Sequence, residues 1–267
     1  MKIHHNREIQ VISFLDERYY TTDQETYYPA TSTILEVYPK GYAFQNFLKQ
    51  VGMNVDEIVR KASEQGSKMH DTFHQITKGY AVTWVNELTG KTDYTAEEWQ
   101  MVAKFYEFIR DYQPIIIEQK YKAISEKLGI GDTLDLVCEI SGELWLIDYK
   151  AGSYLYETDF MRLAMCVELW NEIHKQKIQR AGILHVKAQT RGVDKRGKVI
   201  QGEGWQIKEP TESLDTYADV FGHSKAIWQR LNPTPKPKNK QYPDSFCIED
   251  LNKQADVHDA LNNNDLF

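Results

Sequence analysis

The sequence predicts an α/β protein whose central mixed β-sheet is flanked by helices, with an N-terminal strand pair and a helical insertion ahead of the core. Three observations predict it. Between Pro114 and Lys150 the chain reads as three successive strands, "PIIIEQKYKAI", then "TLDLVCEI" and "ELWLIDYK" on either side of Ser141-Gly142. Apolar runs separated by a two-residue turn with glycine are a strong hairpin signal. From Glu157, "ETDFMRLAMCVELWNEIHKQ" reads as a helix that leads to a returning strand, "RAGILHVKA", which is the pattern of a mixed sheet. Upstream lie two long helical patterns.

Taken in order, "VISFLDERYYT" and "TYYPATSTIL" read as strand-like segments around the polar turn "TTDQE", with Pro29 fixing the path of the chain into its next segment. The helical part covers about residues 40–113. Its first helix, "NVDEIVRKASEQGSKMHDTFHQITKG", has Asn54 as a cap, Glu57 three residues on and Gly79 as a stop. "TAEEWQMVAKFYEFIRDY" repeats that logic from Thr95 and ends before Pro114. The core then runs over about 114–190. "TRGVDKRGKVIQGEGWQIKE" reads as a basic loop or hairpin on the sheet edge, and "ESLDTYADVFGHSKAIWQRL" as a last helix. Residues 1–232 therefore form a single domain in this reading, and 233–267 a Pro- and Lys-rich linker with a flexible tail.

The 267 residues, 41% of them apolar, suffice for a real core. A net charge of −7 argues against a generic nucleic-acid coat, because nonspecific binding is driven by Lys and Arg. It leaves a local groove open. Cys138, Cys166 and Cys247 are far apart, with no paired metal spacing, and odd in number, which argues against a disulfide framework and suggests core thiols. No apolar run reaches membrane length, and "MKIHHNREIQ" lacks the apolar region of a signal peptide. A cytoplasmic, membrane-free protein is expected.

The hairpin raises a chemical question. With Ser141 and Gly142 as its two turn residues, Asp135 faces Asp148, and directly opposed side chains lie roughly 4.5 to 5.5 Å apart, where like charges destabilise a sheet. Side chains alternate along a strand, so Lys150 projects on the face of Asp148, together with Leu144 and Leu146. Two carboxylates and an amine thus converge at the open end of the hairpin. Such a set suits Mg²⁺, which takes one or two carboxylates beside substrate phosphates. The alternative is a surface hairpin with a solvated polar edge, and a three-residue turn, Ser141 to Glu143, would shift the register by one.

Other candidates surround this pair. His70 and His74 stand at i and i+4 on the first long helix, with Gly66 a turn earlier, a spacing that can share a metal or belong to a solvated or core pair. The aspartate at position 71, where His-Glu-x-x-His has its glutamate base, argues against zinc proteolysis. Gly90-Lys91-Thr92 mimics the end of a nucleotide-binding loop, but the glycine required five residues earlier is Val85, so no nucleotide cofactor is expected. Glu118 closes an apolar strand and is an auxiliary candidate. Arg162, on the helix after the hairpin, faces either a phosphate or solvent. The six tryptophans are mostly core candidates.

Together these residues resemble the RecB-like branch of the PD-(D/E)XK nuclease superfamily, and within it the mitochondrial genome maintenance exonucleases and related phage exonucleases. "YYPATSTIL" is similar to the Pro-Ser-Val-Thr stretch of that group. "ASEQGSKMHDTFHQITKG" is similar to its Gly-x-x-x-His-x-x-x-Glu helix, while "GDTLDLV" and "LIDYK" place Asp135, Asp148 and Lys150 on its second and signature motifs. The likeness runs from about Phe14 to about Lys187.

The resemblance implies a restriction-endonuclease-like core and hydrolysis of DNA phosphodiesters. His70, Asp135, Asp148 and the Tyr149 backbone carbonyl would hold Mg²⁺ or Mn²⁺, and Lys150 would position the attacking water. It implies an exonuclease acting on single-stranded or free DNA ends, in replication, recombination or repair in a bacterial or phage-infected cell. A replication or recombination partner docking on the C-terminal "NDLF" is a further expectation, against a simply disordered end. Two departures stand out. His74 replaces the usual glutamate, and Arg162 with Cys166 replaces a Gln-x-x-x-Tyr motif. The cysteine count excludes the iron-sulfur subgroup. Two alternatives remain, an inactive nuclease-derived DNA- or partner-binding module and a structure-specific endonuclease.

Overall fold

A computed structural model describes residues 3–5, 8–14, 17–41, 55–187, 191–193, 199–201 and 204–238. In chain order they form β1 (Ile3–His5), β2 (Gln10–Phe14), β3 (Glu17–Thr21), β4 (Tyr28–Pro29), α1 (Thr31–Leu35), α2 (Val55–Thr77), α3 (Ala96–Tyr112) and β5 (Ile115–Ser125). Next come β6 (Ile130–Ile140), β7 (Glu143–Lys150), α4 (Glu157–Ile173), β8 (Arg180–His185), β9 (Arg191–Val193), β10 (Val199–Gln201), β11 (Gln206–Lys208) and α5 (Leu214–Leu231). The cap expected at Asn54, the thiol of Cys247 and the tail beyond 238 lie outside the described residues.

The central sheet has the order β1-β5-β6-β7-β8-β11. It is mixed, because β7 and β8 run parallel while the remaining neighbours are antiparallel. A parallel pair needs a crossover connection, and α4 supplies it. The hairpin forms in the expected register, with Ile140 opposite Glu143 and Leu136 opposite Ile147. Ser141 and Gly142 have φ of 53° and 84°, the doubly positive pair of a type I′ turn that matches strand twist.

The two faces of the sheet are covered by different helices. Leu144, Leu146 and Val137 pack with Leu163, Val167 and Trp170 of α4 and with Phe221 and Trp228 of α5. On the other face Leu136, Ile147 and Tyr149 pack with Met69 and Phe73 of α2 and Phe105 and Phe108 of α3. The Phe73 and Phe105 rings are stacked at 4.2 Å, and Tyr149 meets each of them edge-on at 5.4 Å. Phe73 is fully buried, so truncating it to alanine would cost about 3 to 5 kcal/mol.

The N-terminal segments differ from the sequence reading in two places. "VISFLDERYYT" is not one strand but contributes to β2 and to β3, which pair as an antiparallel hairpin and extend to β4. "TSTIL" folds as the helix α1, although its β-branched residues favour a strand. Thr31, Thr33, Ile34 and Leu35 are all buried there, and packing overrides the weak intrinsic preference. The small N-terminal sheet docks on the start of β6, where Ala30 bridges to Gly131. A Cβ at Gly131 would come within 2.6 Å of the Tyr20 side chain, so only glycine permits this approach.

One feature of the sheet sets where its charged side chains meet. The β6–β7 ladder runs from the turn as far as Leu136 and Ile147. Beyond that point β6 stays paired with β5 down to Ile130, and β7 stays paired with β8 through Lys150. The two central strands therefore part at Asp135 and Asp148, each still held by its outer neighbour.

Candidate active site

The fork exposes polar backbone in the middle of the sheet, and side chains fill it. Tyr149 N–H donates to Asp135 Oδ2 at 3.0 Å in place of a ladder bond. On the next residue, Lys150 O accepts from Val186 N on the β8 side. The N–H and C=O of one residue in an extended strand point the same way, so the Tyr149 carbonyl also faces the fork. Asp135 and Asp148 are both buried.

His70 reaches the fork from α2. The packing of Met69 and Phe73 against Phe105 and Tyr149 sets that helix across the sheet, and the His70 ring sits edge-on to Tyr149 at 5.7 Å. His70 Nδ1 then lies 3.1 Å from Asp135 Oδ1. His74, one turn on, bonds instead to Gln119 Oε1 at 2.9 Å. The two histidines are thus brought to different partners, and only His70 joins the carboxylates. Glu118 lies on β5 opposite Val137, two residues along β6 from Asp135.

Arg162 turns inward. From α4 its Nη1 pairs with Asp148 Oδ1, and its Nη2 reaches Asp132 Oδ1 at 3.1 Å and Thr133 O at 2.9 Å. It is therefore engaged by the protein's own carboxylates rather than presented at the surface. Lys150 Nζ pairs with Asp159 Oδ1 in the first turn of α4. The other Asp159 oxygen accepts Tyr156 N–H at 2.7 Å, and His185 Nε2 donates to Gly152 O at 2.7 Å. The 151–156 loop is so tied to the site at both ends, leaving Tyr154 and Tyr156 exposed.

These neighbours set the charge states. Burial pushes the Asp148 carboxyl up and Asp135 adds repulsion, against the pull of Arg162, leaving it at about 7. Burial also works against ionisation of Asp135, but His70, Arg162 and the Tyr149 N–H outweigh it and hold that carboxyl well below the ordinary range. Burial disfavours the charged form of His70, yet Asp135 prevails and raises it. His74 is lowered by burial and by Lys120. Burial raises the thiols of Cys138, to about 12, and of Cys166, so both are the inert core thiols expected.

The sequence reading missed four residues around the fork. Asp132 is 2% exposed, and its second oxygen accepts the Thr31 hydroxyl. A charge three residues before Asp135 in an otherwise apolar strand was a usable signal. Thr31 lies within "YYPATSTIL", a stretch singled out by its resemblance, but not as a residue of the site. Asp159 resembles any acidic residue favoured at a helix N-terminus. Lys120, on β5 beside Asp135, has φ of 47° and pairs with Asp71. A left-handed backbone at a non-glycine residue is a strained feature of the kind that clusters at functional sites.

Two buried carboxylates, an imidazole and a backbone carbonyl form the donor chemistry of a hard divalent ion. Asp148, whose carboxyl is pushed up by burial despite Arg162, is a group that a further cation would stabilise as carboxylate. By donor type the carboxylates and the carbonyl suit Mg²⁺ or Mn²⁺. The donors are tied to one another by hydrogen bonds and an ion pair, and among the described residues no group of three or more His, Cys, Asp or Glu side chains is placed to hold a metal ion. Among the same residues no helix is long and apolar enough to cross a membrane. No protein-family model matches the chain, and no curated protein matches it.

Proposed function

We propose that the chain is a metal-dependent DNA nuclease with a restriction-endonuclease-like core, acting as an exonuclease on single-stranded or free DNA ends. The observation that carries this reading is the fork. It brings Asp135 and Asp148 together from diverging strands, with His70 on one carboxylate and Lys150 two residues beyond the other. His70, Asp135, Asp148 and the Tyr149 carbonyl would hold Mg²⁺ or Mn²⁺. When bound, the ion activates water and offsets the charge that develops on the phosphate.

The protein's own groups do the rest. Lys150, steered by Asp159, orients the water and meets the phosphate. His70 holds Asp135 in place through Nδ1, and the Tyr149 ring, itself packed on Phe73, meets the His70 ring edge-on. Tyr154 and Tyr156, 71% and 51% exposed, offer rings on which bases stack, and such stacking is insensitive to sequence. It favours unpaired strands.

A second reading is favoured by one observation, the Arg162 to Asp148 ion pair. A guanidinium on this carboxylate is also what an inactive, DNA-binding derivative would carry. Digestion of end-labelled linear and covalently closed single-stranded DNA with Mg²⁺ or Mn²⁺ separates the two. Shortening of linear DNA from its ends, survival of circles, and loss of at least about a hundredfold in rate for Asp148→Ala and Lys150→Ala are expected. A wild-type chain that binds DNA but cuts nothing with either metal would establish the binding module instead. Cutting of closed circles would establish an endonuclease.

A further inference from the structure

We infer that Arg162 takes the place of a second cation, so that the fork binds a single divalent ion. The inference rests on the metal-dependent function proposed for this site and concerns how many ions it takes. The Arg162 guanidinium is divided between carboxylates on two different strands, Asp148 on β7 and Asp132 on β6, and also bonds Thr133 O at 2.9 Å. Asp132 is fixed from behind by the Thr31 hydroxyl. A planar guanidinium with fixed donors suits such a bridge, and it stays charged at any working pH. In two-metal nucleases the ions lie roughly 3.5–4 Å apart and clamp attacking and leaving oxygens together. Here the gap between Asp132 and Asp148 is already filled by a side chain.

The charge balance agrees. With the ion bound, its carboxylate ligands are ionised and its imidazole ligand is unprotonated, so Asp132, Asp135 and Asp148 bring three negative charges and Arg162 returns one positive, leaving two. One divalent ion cancels them. A second would leave two uncompensated positive charges among buried groups, which is costly. Lys150 and Asp159 compensate each other and do not alter the sum.

The test counts ions rather than turnover. Mn²⁺ bound to the full-length chain without DNA would be measured from the loss of free Mn²⁺ resonance signal, and checked by titration calorimetry. Wild type is expected to saturate at one Mn²⁺ per chain. Arg162→Gln, which uncovers Asp132 and Asp148, is expected to take two, and Arg162→Lys, which keeps a cation, one. Two ions in wild type, or one in a folded Arg162→Gln chain, would overturn the inference and leave the nuclease reading intact. Binding of no Mn²⁺ by wild type would overturn both, and the DNA digestion assay would then show no metal-dependent cutting. Circular dichroism melts establish folding of each variant. Should Arg162→Gln not fold, one ion in both wild type and Arg162→Lys supports the inference, and two in either overturns it.

Discussion

At Tyr149 the two faces of a strand serve different ends. Its backbone joins the fork while its ring anchors α2 on the sheet, and its hydroxyl is buried with no hydrogen-bond partner among the described residues. Burying an unpaired hydroxyl costs about 1 to 3 kcal/mol. Tyr149→Phe keeps the ring and removes that cost, so its urea midpoint is expected to equal or exceed that of wild type, with cleavage retained. A lower midpoint would mean that the hydroxyl finds a partner. The placement of Asp135 and Asp148 at matching positions of the hairpin was legible because strand alternation and a two-residue turn fix which side chains meet, whereas the pairing of Lys150 with Asp159 was not. Neither was the direction of Arg162. A helix pattern gives the face of a side chain only approximately, and the partner that draws Arg162 inward, Asp132, lies thirty residues away in the sequence.

Among the elements, α3 shows how a local signal becomes stability. Thr95 accepts from Glu98 N at 3.2 Å, and Glu98 Oε2 accepts Thr95 N–H at 2.8 Å, a complete capping box. Glu98 also pairs with Lys68 of α2 at 2.8 Å, so one carboxylate caps α3 and ties it to the helix that carries His70. Thr95→Ala is expected to lower stability by about 1 kcal/mol, read from denaturant melts. Burial opposes ionisation of Glu98, but Lys68 and the Thr95 N–H prevail and lower its titration point. A lowered carboxylate stabilises the fold fully above its unfolded titration point, near 4.5, and loses that contribution as pH falls through the folded one. Melting temperature should therefore drop more steeply on acidification below about pH 4.5 in wild type than in Glu98→Gln, and equal slopes would refute the assignment. The cap was readable from "TAEE" alone, whereas the helical state of "TSTIL" was not, since burial between sheet and α5 decides it.

On the scale of the whole molecule, the outer strands do the holding. β5 and β8 keep β6 and β7 in place after these have left each other, so the carboxylates are presented by rigid strands rather than by a loop. The 151–156 loop, pinned by His185 and Asp159, brings exposed rings to the edge of that site. Tyr154→Ala is expected to weaken binding of single-stranded oligonucleotides by about 1 to 3 kcal/mol per lost stack, measured by fluorescence anisotropy. Affinity for blunt duplex ends should change little, and an equal loss on both would remove the stacking role. The central sheet and its flanking helices followed from hydrophobic periodicity. The fork did not, because nothing in a periodic pattern tells where two paired strands cease to pair.

The type I′ turn at Ser141-Gly142 has a practical consequence. It is exposed and stands seven residues along the chain from Asp148, roughly 20 Å at the rise of a strand, at the closed end of the same hairpin. A dye or surface tether attached at position 141 would be rigidly coupled to the carboxylates yet clear of any strand entering the fork. Single chains could then be watched in the presence of oligonucleotides, with the label carried by the element on which the proposed chemistry rests.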